Sequence, residues 1–82
     1  MPLRRIKIVE RKLGRRNAHG LAHFDKPLIE IDDRLRGKKQ QEILLHELLH
    51  VAFPQLDEEA VTEAANWMAE YTWKFGLRRI QQ

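Results

Sequence analysis

The chain has 82 residues, of which 43% are hydrophobic and 33% are charged, and it contains no cysteine. This length predicts one small domain over residues 1–82 and excludes an enzyme with separate cofactor and substrate domains. The lack of cysteine excludes disulfides, thiolate metal sites and a cysteine nucleophile. No apolar run approaches the roughly 18 residues of a membrane span, so we expect no membrane contact. The first residues lack the apolar stretch of a secretory signal, and we therefore expect a cytoplasmic location.

Positive charge is concentrated at the amino-terminal end of the chain. The net charge is +3, but residues 1–20 carry seven Lys or Arg side chains against the single acidic residue Glu10. Residues 41–82 instead carry seven acidic side chains and three basic ones. A basic segment of this kind can make weak contacts with phosphates of a nucleic acid, although a solvated strand face would have the same composition.

Three short segments in the first half of the chain predict β-strands. Residues 5–10 alternate in part and are rich in β-branched side chains, residues 21–25 form a second candidate, and residues 28–32 form the clearest one. The stretch from Gly14 to Gly20 predicts a turn. The second half of the chain predicts two helices, over residues 38–53 and 57–75.

Both predicted helices have recognisable boundaries. The first contains no Pro or Gly and ends before Pro54, which cannot supply the amide that a continuing helix needs. Its apolar residues surround most of the helix axis, which is typical of a helix at the buried centre of a fold. In the second helix, Asp57 suits the N-cap and Gly76 suits a left-handed C-cap. The order of elements predicts an α+β fold, with a small antiparallel or mixed three-stranded sheet beside two helices.

The first helix carries the motif His46-Glu47-Leu48-Leu49-His50, which has the pattern H-E-x-x-H. Residues four apart share one face of a helix, so both imidazoles can bind one ion while Glu47 lies beside it. The donor atoms and their spacing suit zinc. Two imidazoles and a carboxylate are costly to bury among leucines unless something satisfies them, and a metal ion with its water would do so.

A protein zinc site needs a third ligand, and no histidine follows His50. Periodicity leaves the choice of carboxylate open, because Glu58 shares a stripe with Val61 whereas Glu59 shares one with Glu63. The spacing of Glu59 and Glu63 favours a ligand with a hydrogen-bonding carboxylate behind it. The candidates are four acidic residues at the start of the second helix: Asp57, Glu58, Glu59 and Glu63.

The H-E-x-x-H motif, preceded by the strand at residues 28–32 and followed by residues 57–61, resembles the minimal zincins. These are small metallopeptidase-like domains related to the SprT-like and ImmA/IrrE-like groups, and many are encoded by phages and prophages. The segment from Glu59 to Glu63 is also similar to the glutamate-ligand helix of thermolysin-type gluzincins. The resemblance covers about residues 28–76. It implies zinc as the cofactor, with His46, His50 and Glu59 as metal ligands, Glu63 behind Glu59, and Glu47 as the catalytic general base.

The resemblance implies a zinc-dependent metallopeptidase that hydrolyses a peptide bond in a protein or peptide substrate, through a zinc-bound water activated by Glu47. His23 and Tyr71 are candidates for a second electrophile. An extended peptide could pair with the edge strand predicted at residues 21–25. The alternative is a non-catalytic, zinc-stabilised module that binds nucleic acid or protein through its basic amino-terminal segment.

Overall fold

The computed structural model describes residues 3–13 and 19–80 and contains three strands followed by two helices. It confirms the predicted α+β fold with a small three-stranded sheet beside two helices. The predicted turn between Gly14 and Gly20 lies largely outside the described residues. The elements are β1 (Lys7–Arg11), β2 (Gly20–Ala22), β3 (Leu28–Asp32), α1 (Gly37–Ala52) and α2 (Glu58–Phe75).

The sheet is mixed, with β3 in the centre. β1 runs parallel to β3 and aligns Ile8 with Ile29, whereas β2 runs antiparallel and aligns Ala22 with the same residue. β2 is therefore an edge strand. It is shorter than the predicted segment 21–25, because the chain bends at residues 24–27, just after the amide of His23 donates to the carbonyl of Leu28 at 3.0 Å.

α1 lies between the sheet and α2, as the distribution of its apolar residues predicts. On one side its Ile43 packs against Ile29 and Ile31 of β3. On the other side its Leu49 packs against Val61 and Ala65 of α2, and these two clusters form the core. A helix covered on two sides can place polar side chains only along the strip that remains between its two neighbours.

The ends of both helices follow from their local sequence. α1 ends at Ala52, two residues before Pro54. α2 begins after Asp57, whose side chain accepts a hydrogen bond from the amide of Ala60 at 2.8 Å, and it ends at Gly76 with a left-handed φ of 100°. The short connection turns α2 back along α1, so that the start of α2 lies beside the end of α1. Neither helix, among the described residues, is both long and apolar enough to cross a bilayer.

Candidate metal centre

The two histidines of the H-E-x-x-H motif converge with one carboxylate of α2. Nε2 of His46 lies 3.2 Å from Nε2 of His50. Oε1 of Glu58 lies 2.8 Å from each of these nitrogens. Three donor atoms from two helices therefore form a small triangle at the junction of α1 and α2, and together they could hold a metal ion.

The dimensions of this triangle fit a tetrahedral zinc shell. Zinc bonds of about 2.0–2.1 Å place neighbouring ligand atoms about 3.3–3.4 Å apart. The observed separations of 3.2, 2.8 and 2.8 Å are slightly shorter. Small rotations of the side chains would widen them to the separations of a zinc site. Hydrogen bonding explains the triangle less completely: both nitrogens can donate to Glu58, but their contact with each other is then not a hydrogen bond.

The structure places Glu58 at the histidines and Glu59 elsewhere. Glu59, the third ligand expected from the sequence, instead lines a separate surface depression together with Glu63. The physical reason is the buried stripe of α2. Val61 and Ala65 pack against α1, and Glu58 lies on the same face because it is three residues before Val61. The adjacent residue, Glu59, is turned away from α1, and Glu63 is therefore not behind a ligand.

Glu58 is held in its charged form by the two imidazoles. Its hydrogen bond with His50 is the largest influence, and with the bond to His46 it lowers the pKa of the carboxyl below its usual range. A metal ligand must be deprotonated, so this environment suits a ligand. The side chain of Glu58 is still 68% exposed, whereas those of His46 and His50 are largely covered. The open side of the triangle therefore faces solvent along Glu58.

Glu47 is buried beside the triangle, in the position expected for a proton acceptor. Only 9% of its surface is exposed. Burial raises the pKa of its carboxyl, while the charges of His46 and His50 and a hydrogen bond from the backbone of Ala22 act in the opposite direction. The edge strand thus comes close to Glu47. A β-carbon added to Gly20 would lie 2.9 Å from Cγ of Glu47, so only glycine permits this approach.

A cleft of about 240 Å³ contains all four of these side chains. The floor of the cleft is α1 and one end is the start of α2. Its wall is the edge strand and the residues after it, which are Gly20, Leu21, Ala22 and Phe24. The positions of Gly20 and Phe24 in the cleft were not predicted from the sequence. A glycine at the start of a strand is a known signal for a close backbone approach, and it could have indicated the contact with α1.

The two candidates for a second electrophile do not line this cleft. His23 lies on the face of the sheet that is turned away from α1, where its Nε2 is 2.6 Å from Oε1 of the buried Glu30. Tyr71 lies on the outer face of α2 and stacks against Trp67, with 5.0 Å between ring centroids. Neither side chain faces His46, His50 and Glu58 from these positions.

Ion pairs engage one basic side chain of the amino-terminal segment and also its acidic residue. Arg11 pairs with Glu30 at 2.8 Å, and Glu10 pairs with Arg79 near the end of the chain at 2.7 Å. Within residues 3–13 and 19–80, Lys7 and the exposed arginines before it form no ion pair. Arg15 and Arg16, which also contribute to the basic character, fall outside the described residues.

Comparisons with known proteins return no family, no curated protein and no solved structure that matches this chain. The resemblance to minimal zincins consequently rests on the motif and its surroundings alone.

Proposed function

We propose that this protein is a zinc-dependent metallopeptidase of the minimal zincin type. One observation supports the proposal above the others: His46, His50 and Glu58 converge on one point, and the buried carboxylate of Glu47 lines the same cleft. A site with a purely structural metal needs ligands only and gains nothing from a buried acid beside its open side.

His46, His50 and Glu58 would hold the ion, two of them from one face of α1 and the third from the first turn of α2. Two imidazole nitrogens and one carboxylate oxygen form a ligand set typical of catalytic zinc, because three protein ligands leave one position open. When bound, zinc supplies positive charge that acidifies a water molecule and polarises a carbonyl group.

Glu47 would move the proton in this reaction. Its carboxylate takes the proton from the attacking water and passes it to the nitrogen of the departing amine, so the peptide bond is broken without a free strong acid or base. Burial supports this role, because it raises the pKa and makes the carboxylate a stronger proton acceptor at neutral pH. The amide of Ala22 and the tight contact with Gly20 fix its orientation.

The edge strand would orient an extended peptide in the cleft. Among the described residues, β2 pairs with β3 on one side only, so its outer edge can accept a further strand beside the proposed metal ligands. Leu21 and Phe24 are 45% and 70% exposed at this wall, and they offer apolar contacts to the side chains of such a peptide. Because a substrate peptide would be held by backbone pairing and a few apolar contacts, we expect cleavage of peptides with many different sequences.

The test is the substitution Glu47→Gln, with Glu59→Gln as a matched control outside the cleft. Zinc-loaded wild-type protein is incubated with a quenched fluorescent peptide library, and cleavage is followed by fluorescence and mass spectrometry. We expect Glu47→Gln to bind zinc as the wild type does and to lose at least about 100-fold in cleavage rate, the usual contribution of a general base. Glu59→Gln should retain activity. Full activity in Glu47→Gln would refute the mechanism, and zinc binding without cleavage in the wild type would favour the non-catalytic module.

A further inference from the structure

A second pocket lies at the opposite edge of the sheet from the candidate metal centre. It has a volume of about 140 Å³, and the described residues that line it are all different from those that line the metal cleft. The pocket forms because β1 extends the sheet beyond the helices: among the described residues, no Cα atom of α1 or α2 lies within 8 Å of one in β1. Binding here is therefore independent of the proposed peptidase activity.

Large apolar side chains line this pocket from all three layers of the fold. Ile31 of β3 is the most buried of them, and Leu44 of α1 and Trp73 of α2 are half-buried. Ile8 of β1 is aligned with Ile29 and shares its face of the sheet, the one that packs against α1, yet 47% of Ile8 is exposed. An apolar cavity of about 150 Å³ accommodates one benzene molecule, so the volume suits a single aromatic ring.

Polar side chains gather around Glu10 at the border of the pocket. The carboxylate of Glu10 accepts hydrogen bonds from both terminal nitrogens of Arg79, at 2.7 and 3.0 Å, and from Nε2 of Gln40 at 3.1 Å. The hydrogen bonds from Arg79 lower the pKa of Glu10 below its usual range, so these two side chains carry opposite charges. The border therefore has no net charge from this pair, and it offers hydrogen bonds without favouring an anion or a cation.

We propose that this pocket binds a neutral aromatic molecule with one ring and one hydrogen-bonding group, such as a hydroxyl or an amide. The ring lies among Ile8, Leu44 and Trp73, and the indole of Trp73 favours an aromatic ring over an aliphatic one of the same size. The polar group meets Glu10 and Arg79. A carboxylate in that position is repelled by Glu10 and an ammonium by Arg79, so charged analogues with the same ring bind more weakly.

Proton–nitrogen correlation NMR of the full chain tests this site, because the two tryptophans report on different places. Trp73 lines the pocket, whereas Trp67 lies on the outer face of α2. Benzyl alcohol should shift the indole signal of Trp73 saturably, with a Kd of about 0.1–1 mM for a molecule of this size, and leave that of Trp67 unchanged. Phenylacetate and benzylamine carry the same ring with opposite charges, and each should bind at least about fivefold more weakly.

Filling the pocket should prevent binding in a protein that remains folded. Leu44→Phe places a larger side chain in the pocket and should weaken the binding of benzyl alcohol at least about tenfold. Ile8→Phe fills it from the exposed side of β1 and serves the same purpose if Leu44→Phe does not fold. Leu56→Phe, the same enlargement at an exposed leucine between the two helices, is the matched control and should bind as the wild type does. Circular dichroism verifies that each variant is folded.

A change of charge at the border distinguishes this site from nonspecific binding of aromatic compounds. Glu10→Gln leaves the charge of Arg79 uncompensated, so phenylacetate should bind about fivefold more tightly than it does to the wild type, and benzylamine should not. The proposal is overturned if the Trp73 signal shows no saturable shift at up to about 10 mM benzyl alcohol, or if both pocket-filling variants bind as the wild type does. A wild type that prefers phenylacetate or benzylamine, or an unchanged affinity of Glu10→Gln for phenylacetate, would also overturn it.

Discussion

A single methyl group at Gly20 tests whether the edge strand β2 is packed against α1 as the structure has it. The β-carbon of an alanine would lie 2.8 Å from Cγ2 of Ile43 and 2.9 Å from Cγ of Glu47. Carbon atoms normally stay about 3.5–4.0 Å apart, so the strand and the helix would have to separate by roughly 0.7–1 Å. Because φ of Gly20 is not in the left-handed region, the effect arises from the contact and not from backbone strain.

We expect Gly20→Ala to lower the free energy of unfolding by about 1–3 kcal/mol, the usual cost of overpacking. In a domain of this size each kcal/mol corresponds to a decrease of roughly 4–8 °C in Tm. The sign is informative, because Gly→Ala at an unhindered position would stabilise the protein by about 0.4–1 kcal/mol through the unfolded chain. Urea unfolding followed by circular dichroism gives the free energy, and calorimetry gives Tm.

Two further variants separate the causes. Gly76→Ala is the matched control, because a β-carbon there meets nothing within 4 Å and only the left-handed φ of 100° is penalised. It should lower stability and leave peptide cleavage unchanged, whereas Gly20→Ala should impair both, since it displaces Glu47. Combined with Ile43→Ala, Gly20→Ala should cost less than it does alone. Stability at or above that of the wild type in Gly20→Ala would refute the close approach.

Two predictions concern stability away from the cleft. Asp57→Ala removes the side chain that accepts from the amide of Ala60 and should lower the free energy of unfolding by about 1 kcal/mol, measured in urea; an unchanged midpoint would mean that the cap is not formed. The side chain and amide of Arg34 lower the pKa of Asp32 to about 2 from 3.8, so the folded state binds fewer protons and stability falls as the pH decreases from about 4 to 2. Asp32→Asn should flatten the Tm profile in that window; a profile in Asp32→Asn as steep as that of the wild type would contradict this.

The order and type of the elements followed from local sequence signals. Pro54, Asp57 and Gly76 stand at helix ends, and each acts through its own backbone or a neighbouring amide, so no tertiary information was needed. The central position of α1 was also predictable, because apolar side chains around the whole axis require partners on more than one side.

The pairing of the strands and the identity of the carboxylate beside the two histidines depended on tertiary contacts. The local sequence of β1 does not specify that this strand runs parallel to β3. The direction depends on where the chain returns after β2. Likewise, the spacing of Glu59 and Glu63 is compatible with a ligand pair in the sequence. It was the packing of Val61 against α1 that selected Glu58 for the inner face. His23 lies on the far side of the sheet because side chains alternate between the two faces along β2. The register of β2 with β3 decides which face each side chain takes.

Metal content by mass spectrometry, on protein purified without a histidine tag or added metal, tests the central claim most directly. Wild type should contain about one zinc per chain, since His46, His50 and Glu58 would supply the three protein ligands of the proposed site. Glu58→Ala should lose the metal, and Glu59→Ala, one residue along the same helix, should retain it. A wild type free of zinc that also fails to bind it on titration would contradict the proposed metal centre. Loss of zinc in Glu59→Ala with retention in Glu58→Ala would contradict the geometry of α2.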